Sequence, residues 1–479
     1  MGTAIGSILP SMHFAFCSRL SYRILAWSTV AILLATASES WADPRRTPAF
    51  PGAEGFGKYA KGGRGGAVYH VTNLKDSEPG SLRHGIEKSN GPTTIVFDVS
   101  GTLTLKSPLL VENKSHLTIA GQTSPGKGIT LRDHNVTIKD SKHIIVRYLR
   151  IRLGDENKKQ GLSPDVMTVN YNDHLILDHL SLSWGIDGNS DYRGNSNMTL
   201  QWLIYSEALN SSLHHKGPHA MATSLRDCFG NTTLHHNIYS TSRNRHPTLG
   251  SGVKKGGANW IVDFRNCVNF NWRGETNLGG LKMNVVGNYY RPGPSTRRTQ
   301  RPFQLKDQDT TLAKGFASGN MFDEMPIDFN EDNYTAITYT NEGGYMSTTR
   351  QRWEAPSEFD CGEFAIPPQD AQTAYEICLK HSGCSRVRDT VDNRVIRNIR
   401  ERKGTVIDSQ NDVGGWDRYK SEHRPADWDK DRDGIADNWE REHGLNPDDP
   451  DDRNHVSNAA GYTNLELYLN SLCPDPGDL

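Results

Sequence analysis

The chain has 479 residues, with 54 Lys and Arg against 56 Asp and Glu, and 35% apolar residues. That length holds one large domain with appendages or two to three ordinary domains. The near-balance of charge supplies no field suited to nucleic acid, and the abundant Gly and Asn suit a turn-rich fold rather than a helical bundle.

At the N-terminus, Arg19 and Arg23 precede an apolar run from Ile24 to Ala37. Ser40-Trp41-Ala42 then offers a small-x-small cleavage site before Asp43. The run is short for a membrane span and no stop-transfer pattern follows. Residues 1–42 therefore read as a signal peptide, and the mature protein as secreted (extracellular, or periplasmic in a bacterium) with no membrane segment. Cys17 leaves with that peptide. Cys228, Cys267, Cys361, Cys378, Cys384 and Cys473 remain. An oxidising compartment allows disulfides among them, with Cys378 and Cys384 a candidate local pair and the connectivity otherwise open.

Residues 43–365 carry short runs of alternating apolar residues: Leu149, Ile151 and Leu153; Leu180, Leu182 and Trp184; Trp260, Val262 and Phe264; Val268, Phe270 and Trp272. A period of two predicts strands. No helix-length amphipathic stretch lies between them to act as a crossover, so a doubly wound α/β fold is excluded and a sandwich, barrel or solenoid is left. Asn237, Asn266 and Asn288 each end such a run, and in a solenoid an Asn at a repeated turn can hydrogen-bond the next coil. Residues 366–415 change texture. Ala374, Ile377 and Cys378, then Val391, Val395 and Ile399, have helical spacing and predict one or two helices packed on the strands.

Residues 416–479 form a small acidic unit. Within it, residues 429–440 read Asp-Lys-Asp-Arg-Asp-Gly-Ile-Ala-Asp-Asn-Trp-Glu, which matches the calcium-loop pattern D-x-D-x-D-G-x5-E at every specified position. Asp429, Asp431 and Asp433 would supply side-chain oxygens, Ile435 its carbonyl, Asp437 an oxygen directly or through water, and Glu440 two oxygens. The eleven acids against three bases in residues 427–452 could also be a plain acidic surface. Pro425 and the Gly444-Leu445-Asn446-Pro447 turn leave little flanking helix, so the loop reads as an isolated structural site followed by a short helix through Leu465, Leu467 and Leu469.

Charged residues recur at about the run interval: Asp165, Asp187 and Asp191, Lys216, and Arg245. In a solenoid they would fall on neighbouring coils of one face. Carboxylates held together repel unless a hard cation with a taste for oxygen compensates them, which points to Ca2+. A lysine and an arginine further along then describe a groove for a polyanion. Elimination across C4–C5 of a uronate needs such parts: a cation to stabilise the developing charge and a base to take a weakly acidic proton. Hydrolysis would instead need two carboxyl groups about 5–9.5 Å apart. Asp178 and His179 lie inside a strand pattern and read as a structural pair. The histidines at 214, 215, 219, 235, 236 and 246 lack a zinc motif, since H-E-x-x-H is absent and Gly217-Pro218 prevents His215 and His219 from sharing one helix turn.

The stretches FPGAEGFGKYAKGGRGG, VTNLKDSEPGSLRHGI, LDHLSLSW and HHNIYSTSRNRHP resemble the pectate lyases of the first polysaccharide-lyase family, over residues 49–416. The resemblance implies a right-handed, single-stranded parallel β-helix that cleaves polygalacturonate by calcium-dependent β-elimination to 4,5-unsaturated oligogalacturonides, as a monomer. It implies groove calcium on Asp165, Asp187 and Asp191, Lys216 at the substrate carboxylate and Arg245 as the base. The residues 427–440 resemble a calcium loop appended to some members. One departure stands out: relatives carry a second arginine three residues after the motif's proline, where this chain has Gly250 after Thr248 and Leu249. Arg243 or Arg226 is the expected substitute. Arginine is ordinarily charged throughout the working pH range. Cations beside it would favour its neutral form, so the expected activity rises toward alkaline pH. A β-helical galacturonan hydrolase and a non-catalytic carbohydrate-binding solenoid are the rival readings.

Overall fold

The computed structural model describes residues 46–156, 164–251, 259–305, 314–339 and 349–473. The signal peptide expected at 1–42 lies outside them. Among the described residues the strands form three sheets of ten, nine and nine, and every neighbouring pair within them is parallel. The chain visits the sheets in turn. The first sheet runs from Ala67–Val71 to Lys314–Ser318, the second from Gly101–Thr104 to Met321–Phe322, and the third from Leu109–Glu112 to Ile337–Thr338. Strands that are neighbours in a sheet belong to successive coils, which makes the fold a parallel β-helix.

The period-two pattern explains the register. Ile119, Val146, Leu177, Leu200, Leu234, Phe264 and Val285 pair in sequence across the first sheet and all point into one buried core. Slipping one strand by a residue would turn its apolar set outward. At the corner leading to the second sheet, Tyr148, His179, Trp202, His236 and Asn266 each adopt a left-handed φ between 52° and 58°. The rings at this corner stack, with Tyr148–His179 centroids 4.6 Å apart and Trp202–His236 4.2 Å apart.

The three asparagines meet a neighbouring coil in two ways. Asn237 Oδ1 accepts the Leu203 N–H at 2.8 Å, and Asn288 Oδ1 accepts the Cys267 N–H at 3.0 Å, so both bridge adjacent coils. Asn266 stands one residue earlier in its coil, at the left-handed corner, and donates to Gly287 O of the next coil at 3.3 Å and to Gln369 O at 2.9 Å. Cys267 takes the ladder position in that coil.

Helix α1 (Leu82–Lys88) buries Leu82 and Ile86 against the first coil. Helix α2 (Arg350–Trp353) sets the fully buried Trp353 over the last strand of the first sheet; a Cβ at Gly315 there would lie 2.0 Å from its ring. Helices α3 (Ala371–His381) and α4 (Thr390–Glu401) lie on the outer face of the second sheet, against Ile204, Ile238, Val268, Phe270 and Tyr289. In α3 the buried stripe is Ala371, Ala374, Tyr375, Cys378 and Leu379, with Ile377 only at its edge. Arg152 ties α4 down from below, donating to Asp389 at 2.9 and 2.8 Å and to Asp392 at 2.9 Å.

The six described cysteines are free thiols, so the Cys378–Cys384 pairing is not made. Cys378 points from α3 to Asn266 O at 3.4 Å, whereas Cys384 follows the turn and its N–H donates to Ser181 Oγ at 2.9 Å.

Beyond the last coil the chain retraces the stack. Phe359 meets Asn284 at 2.9 Å, Ser382 meets His236 at 2.7 Å, Gly383 meets Trp202 at 2.7 Å and Cys384 meets Ser181. Val387 then accepts from Arg150 at 3.0 Å, and Glu422 accepts from Ser100 at 2.9 Å. Helices α5 (Asp437–His443) and α6 (Asn464–Ser471) follow, with Ile435, Leu465, Tyr468 and Leu469 packed on Val96 and Ala120 of the first sheet. No helix among the described residues is long and apolar enough to cross a membrane.

Candidate active site

The charged residues singled out in the sequence collect where the chain enters the third sheet. Asp165 stands two residues before the strand Met167–Asn170, Asp187 immediately before Gly188–Arg193, and Asp191 within that strand. Lys216 lies in the loop preceding Met221–Arg226, and Arg245 three residues before Thr248–Ser251. Backbone bonds stack these entries: Val166 N–H to Gly188 O at 3.0 Å, Met221 N–H to Asp187 O at 3.1 Å and Thr223 N–H to Arg245 O at 3.0 Å. Gly188 has a steric reason to be glycine, because a Cβ there would meet Asp165 Oδ1 at 2.9 Å.

The carboxylates crowd one another. Burial pushes the Asp165 carboxyl well above its usual range, Asp187 and Asp191 push it further, and Arg245 and Arg226 oppose them. Asp187 Oδ1 lies 2.9 Å from His219 Nε2 and 3.8 Å from His214 Nε2. It is buried and out of line for a hydrogen bond, so a lone pair stays open. The His214 and His219 rings stack at 3.6 Å, and burial lowers both below the ordinary imidazole range, against the pull of Asp187. Thus a loop, not a helix turn, brings two histidines to one aspartate, with all three ligand atoms within 4.8 Å of one another. Spacing alone had no means of finding that contact.

Asp191 is engaged from the next coil: Arg226 donates to its Oδ1 from Nε at 3.0 Å and from Nη2 at 2.6 Å. Arg243 reaches Asn210 Oδ1 at 3.2 Å. Arg245 has a left-handed φ of 62°, and its N–H donates to Asn244 Oδ1 at 2.7 Å. Its guanidinium, half-buried, has no hydrogen-bond or ion-pair partner among the described residues, and neither has the exposed Lys216 ammonium. At the position of the absent second arginine, Gly250 has φ +69° and a Cβ would meet Leu281 at 2.5 Å. Asp178 and His179 lie elsewhere, fully buried, with Asp178 bonded to Arg147 at 2.7 Å and Gln201 at 2.8 Å. Arg147 and His179 hold the Asp178 carboxyl far below its usual range despite burial.

The charge these residues gather fits a hard cation, with Asp165 raised chiefly by burial and then by Asp187 and Asp191, and an open buried oxygen on Asp187. The ligand atoms within 4.8 Å of one another are those of Asp187, His214 and His219, and not of the three aspartates.

In the tail, Asp429, Asp431 and Asp433 bring oxygens within 4.8 Å of one another, and so do Asp433, Glu440 and Asp452. Burial chiefly, then neighbouring carboxylates, pushes Asp431 up to about 6, and Asp433 and Glu440 up to about 8. Ile435 turns its side chain into the interface with the first sheet. Asp437 departs from the expected ligand role, because Oδ1 accepts the Lys430 N–H at 2.8 Å and Oδ2 pairs with Arg441 at 2.8 Å. Asp452, twelve residues beyond Glu440, stands in the cluster instead; its distance in sequence hid it from the loop pattern.

No protein-family model matches the chain. The chain is similar to "Probable pectate lyase C" of Aspergillus flavus, 32% identical over 435 residues that cover 89% of this chain and 94% of that protein. The same figures hold for "Probable pectate lyase C" of Aspergillus terreus. Among solved structures it resembles pectate lyase Bsp165PelA from Bacillus sp. N165 in complex with trigalacturonate, at TM-score 0.45 and 15% identity, over 69% of this chain and 98% of that one. It also resembles jun a 1, the major allergen from cedar pollen, at TM-score 0.49 and 18% identity, over 69% and 92%.

Proposed function

Since the chain belongs to the pectate lyase family, we propose that it is a secreted enzyme that cleaves polygalacturonate by calcium-dependent β-elimination, with Arg245 as the base. The observation that carries this assignment is the unpartnered Arg245 guanidinium on the coil stack that gathers Asp165, Asp187 and Asp191. Those three carboxylates would hold the calcium, which when bound would draw charge from the substrate carboxylate and acidify the adjacent C5 proton.

Lys216, exposed and free of an ion pair among the described residues, meets the substrate carboxylate. Arg245 takes the C5 proton. The C5–H electron pair becomes the C4–C5 double bond, the C4–O bond breaks, and the departing oxygen is protonated from solvent. The products are a new non-reducing end with a 4,5 double bond and a chain with a new reducing end, whose anomeric hydroxyl is the departing oxygen. Arg243 takes the place of the absent second arginine in binding, because Arg226 is committed to Asp191. A hydrolytic mechanism is less well served at Asp191, whose carboxylate Arg226 already engages.

The test follows ultraviolet absorbance of the unsaturated product on polygalacturonate, with calcium and with chelator. Absorbance that rises in calcium, stops with chelator and grows faster toward alkaline pH is the expected result. New reducing ends without absorbance would overturn the lyase assignment in favour of hydrolysis.

A further inference from the structure

We propose that a second calcium ion, held by Asp429, Asp431, Asp433, Glu440 and Asp452, clamps the C-terminal tail onto the first coil of the β-helix and stabilises the whole chain without entering the reaction. The acidic cluster is not the only ground for this site. Asp431 Oδ2, Asp433 Oδ2, both Glu440 oxygens and Asp452 Oδ1 are buried and accept no hydrogen bond. Asp433 and Glu440 are wholly inaccessible, and Asp452 is 6% exposed. Buried carboxylate oxygens without donors are costly unless a cation takes them. A set made only of oxygens, with one carboxylate able to give two, matches calcium in number and hardness. The remaining oxygens of the cluster do the shaping. Asp429 accepts the Asp433 and Gly434 N–H groups at 3.1 and 2.9 Å, Asp433 Oδ1 accepts from Ile435 at 2.8 Å, and Asp452 Oδ2 accepts from Asn446 at 3.0 Å.

The loop is built against the β-helix. His70, on the first strand of the first sheet, is 3.0 Å from Asp98 through Nδ1. Its Nε2 is 3.2 Å from Arg432 O and 3.5 Å from Asp429 Oδ2. Gly434 passes so close to the same strand that a Cβ would meet Val68 at 3.1 Å. Arg64 pairs with Glu466 of α6 at 2.8 Å. His70 and Arg432 are 362 residues apart in sequence. The ion's ligands all lie within residues 429–452, so binding orders that loop, and the contacts to His70, Val68 and Arg64 carry the order to the first coil. Calcium bound only by the folded loop therefore stabilises the fold by mass action.

The test uses the full chain, freed of metal by chelation. Calcium is followed by thermal unfolding and limited proteolysis, and terbium(III) by luminescence sensitised through Trp428, beside Asp429 in the sequence. For the unmodified protein, calcium should raise the melting temperature and protect the tail from cleavage. Glu440→Gln and Asp452→Asn should each weaken terbium binding by about tenfold or more. Both should lose the tail protection and keep the initial lyase rate at saturating calcium. Asp191→Asn, in the groove, should keep the tail protection. If Glu440→Gln does not fold, Asp452→Asn carries the test, because its amide oxygen can still accept the Asn446 N–H. Unchanged terbium binding and protection in Asp452→Asn would overturn the proposal. Loss of protection in Asp191→Asn alone would overturn it too, since the stabilising ion would then be the groove's. Neither outcome touches the lyase assignment, which is read from the initial rate.

Discussion

Arg226 sits on Asp191, with Nη2 at 2.6 Å and Nε at 3.0 Å from the same carboxylate oxygen. A guanidinium therefore already occupies part of the field that a groove cation would use, and it also tempers the charge on Asp165. Removing it should leave the site more negative. We expect Arg226→Gln to lower the half-saturating calcium concentration for activity by roughly fivefold, about the worth of a partly exposed pair of about 1 kcal/mol. A calcium titration of the initial rate checks it. A rise in the requirement would mean that Arg226 serves mainly to orient Asp191.

Replacing Arg245 tests the base. Arg245→Ala should lower kcat by about 10²–10⁴ while leaving the calcium requirement near that of the unmodified protein. The melting temperature should hardly move, because the guanidinium makes no ion pair or hydrogen bond among the described residues. Retention of most activity would remove Arg245 from the mechanism.

Installing the arginine of the relatives should not improve this chain. At Gly250 the backbone is left-handed and Leu281 stands 2.5 Å from any Cβ. Gly250→Arg should cost about 1–3 kcal/mol of stability, read by denaturant unfolding, without raising kcat/KM.

Acid should weaken the fold through histidines buried in the neutral state. Burial holds His143, His236 and His246 down to about 4, and in His143 the neighbouring His174 and His116 add to the effect. An unfolded histidine titrates near 6.5. Between those values the unfolded chain takes up protons that the fold refuses. Stability from these groups is thus complete above about pH 6.5 and is lost as pH falls toward 4. The loss is about 1.4 kcal/mol per unit of depression for the buried His236 and His246 and less for the half-buried, solvent-screened His143. Denaturant midpoints at pH 7 and pH 5 should differ in that direction, and His236→Gln should flatten the dependence.

Helix α4 depends on a buried charge set. Asp389 and Asp392 both bond Arg152, and all three are at least nine-tenths buried. Asp389→Ala would leave Arg152 short of a partner in a dry interface and remove the N-cap of α4 as well. We expect a loss of about 3–5 kcal/mol, visible in thermal unfolding.

The strands and the order of the charged residues were legible because both follow from period and spacing. Leu149, Ile151 and Leu153 alternate with Arg150 and Arg152, and Asp165, Asp187, Lys216 and Arg245 recur at about coil length. What spacing could not supply is which atom faces which. Asn266 falls on the left-handed corner, one residue before the position of Asn237 and Asn288, and so reaches the next coil as a donor to Gly287 O. His219 meets Asp187 only through the path of the Glu207–Ala220 segment, and Arg226 meets Asp191 only because their strands pair with Ser224 opposite Asp191. Asp437 fits a linear pattern, yet Lys430 and Arg441 claim its oxygens, and Asp452 folds back from a later turn.

The returning segment has a consequence for how such a molecule can change size. A bare coil stack can gain or lose a coil by duplication or deletion, since each coil needs only its neighbours. Here Phe359 is pinned to Asn284, Gly383 to Trp202, Glu422 to Ser100 and Arg432 to His70. The outer strand of chain is thereby a ruler laid along the stack, anchored at both ends. Inserting a coil between Ser100 and Asn284 would put its marks out of register unless the ruler lengthened in the same step. The number of coils is held fixed by a segment that forms none of them.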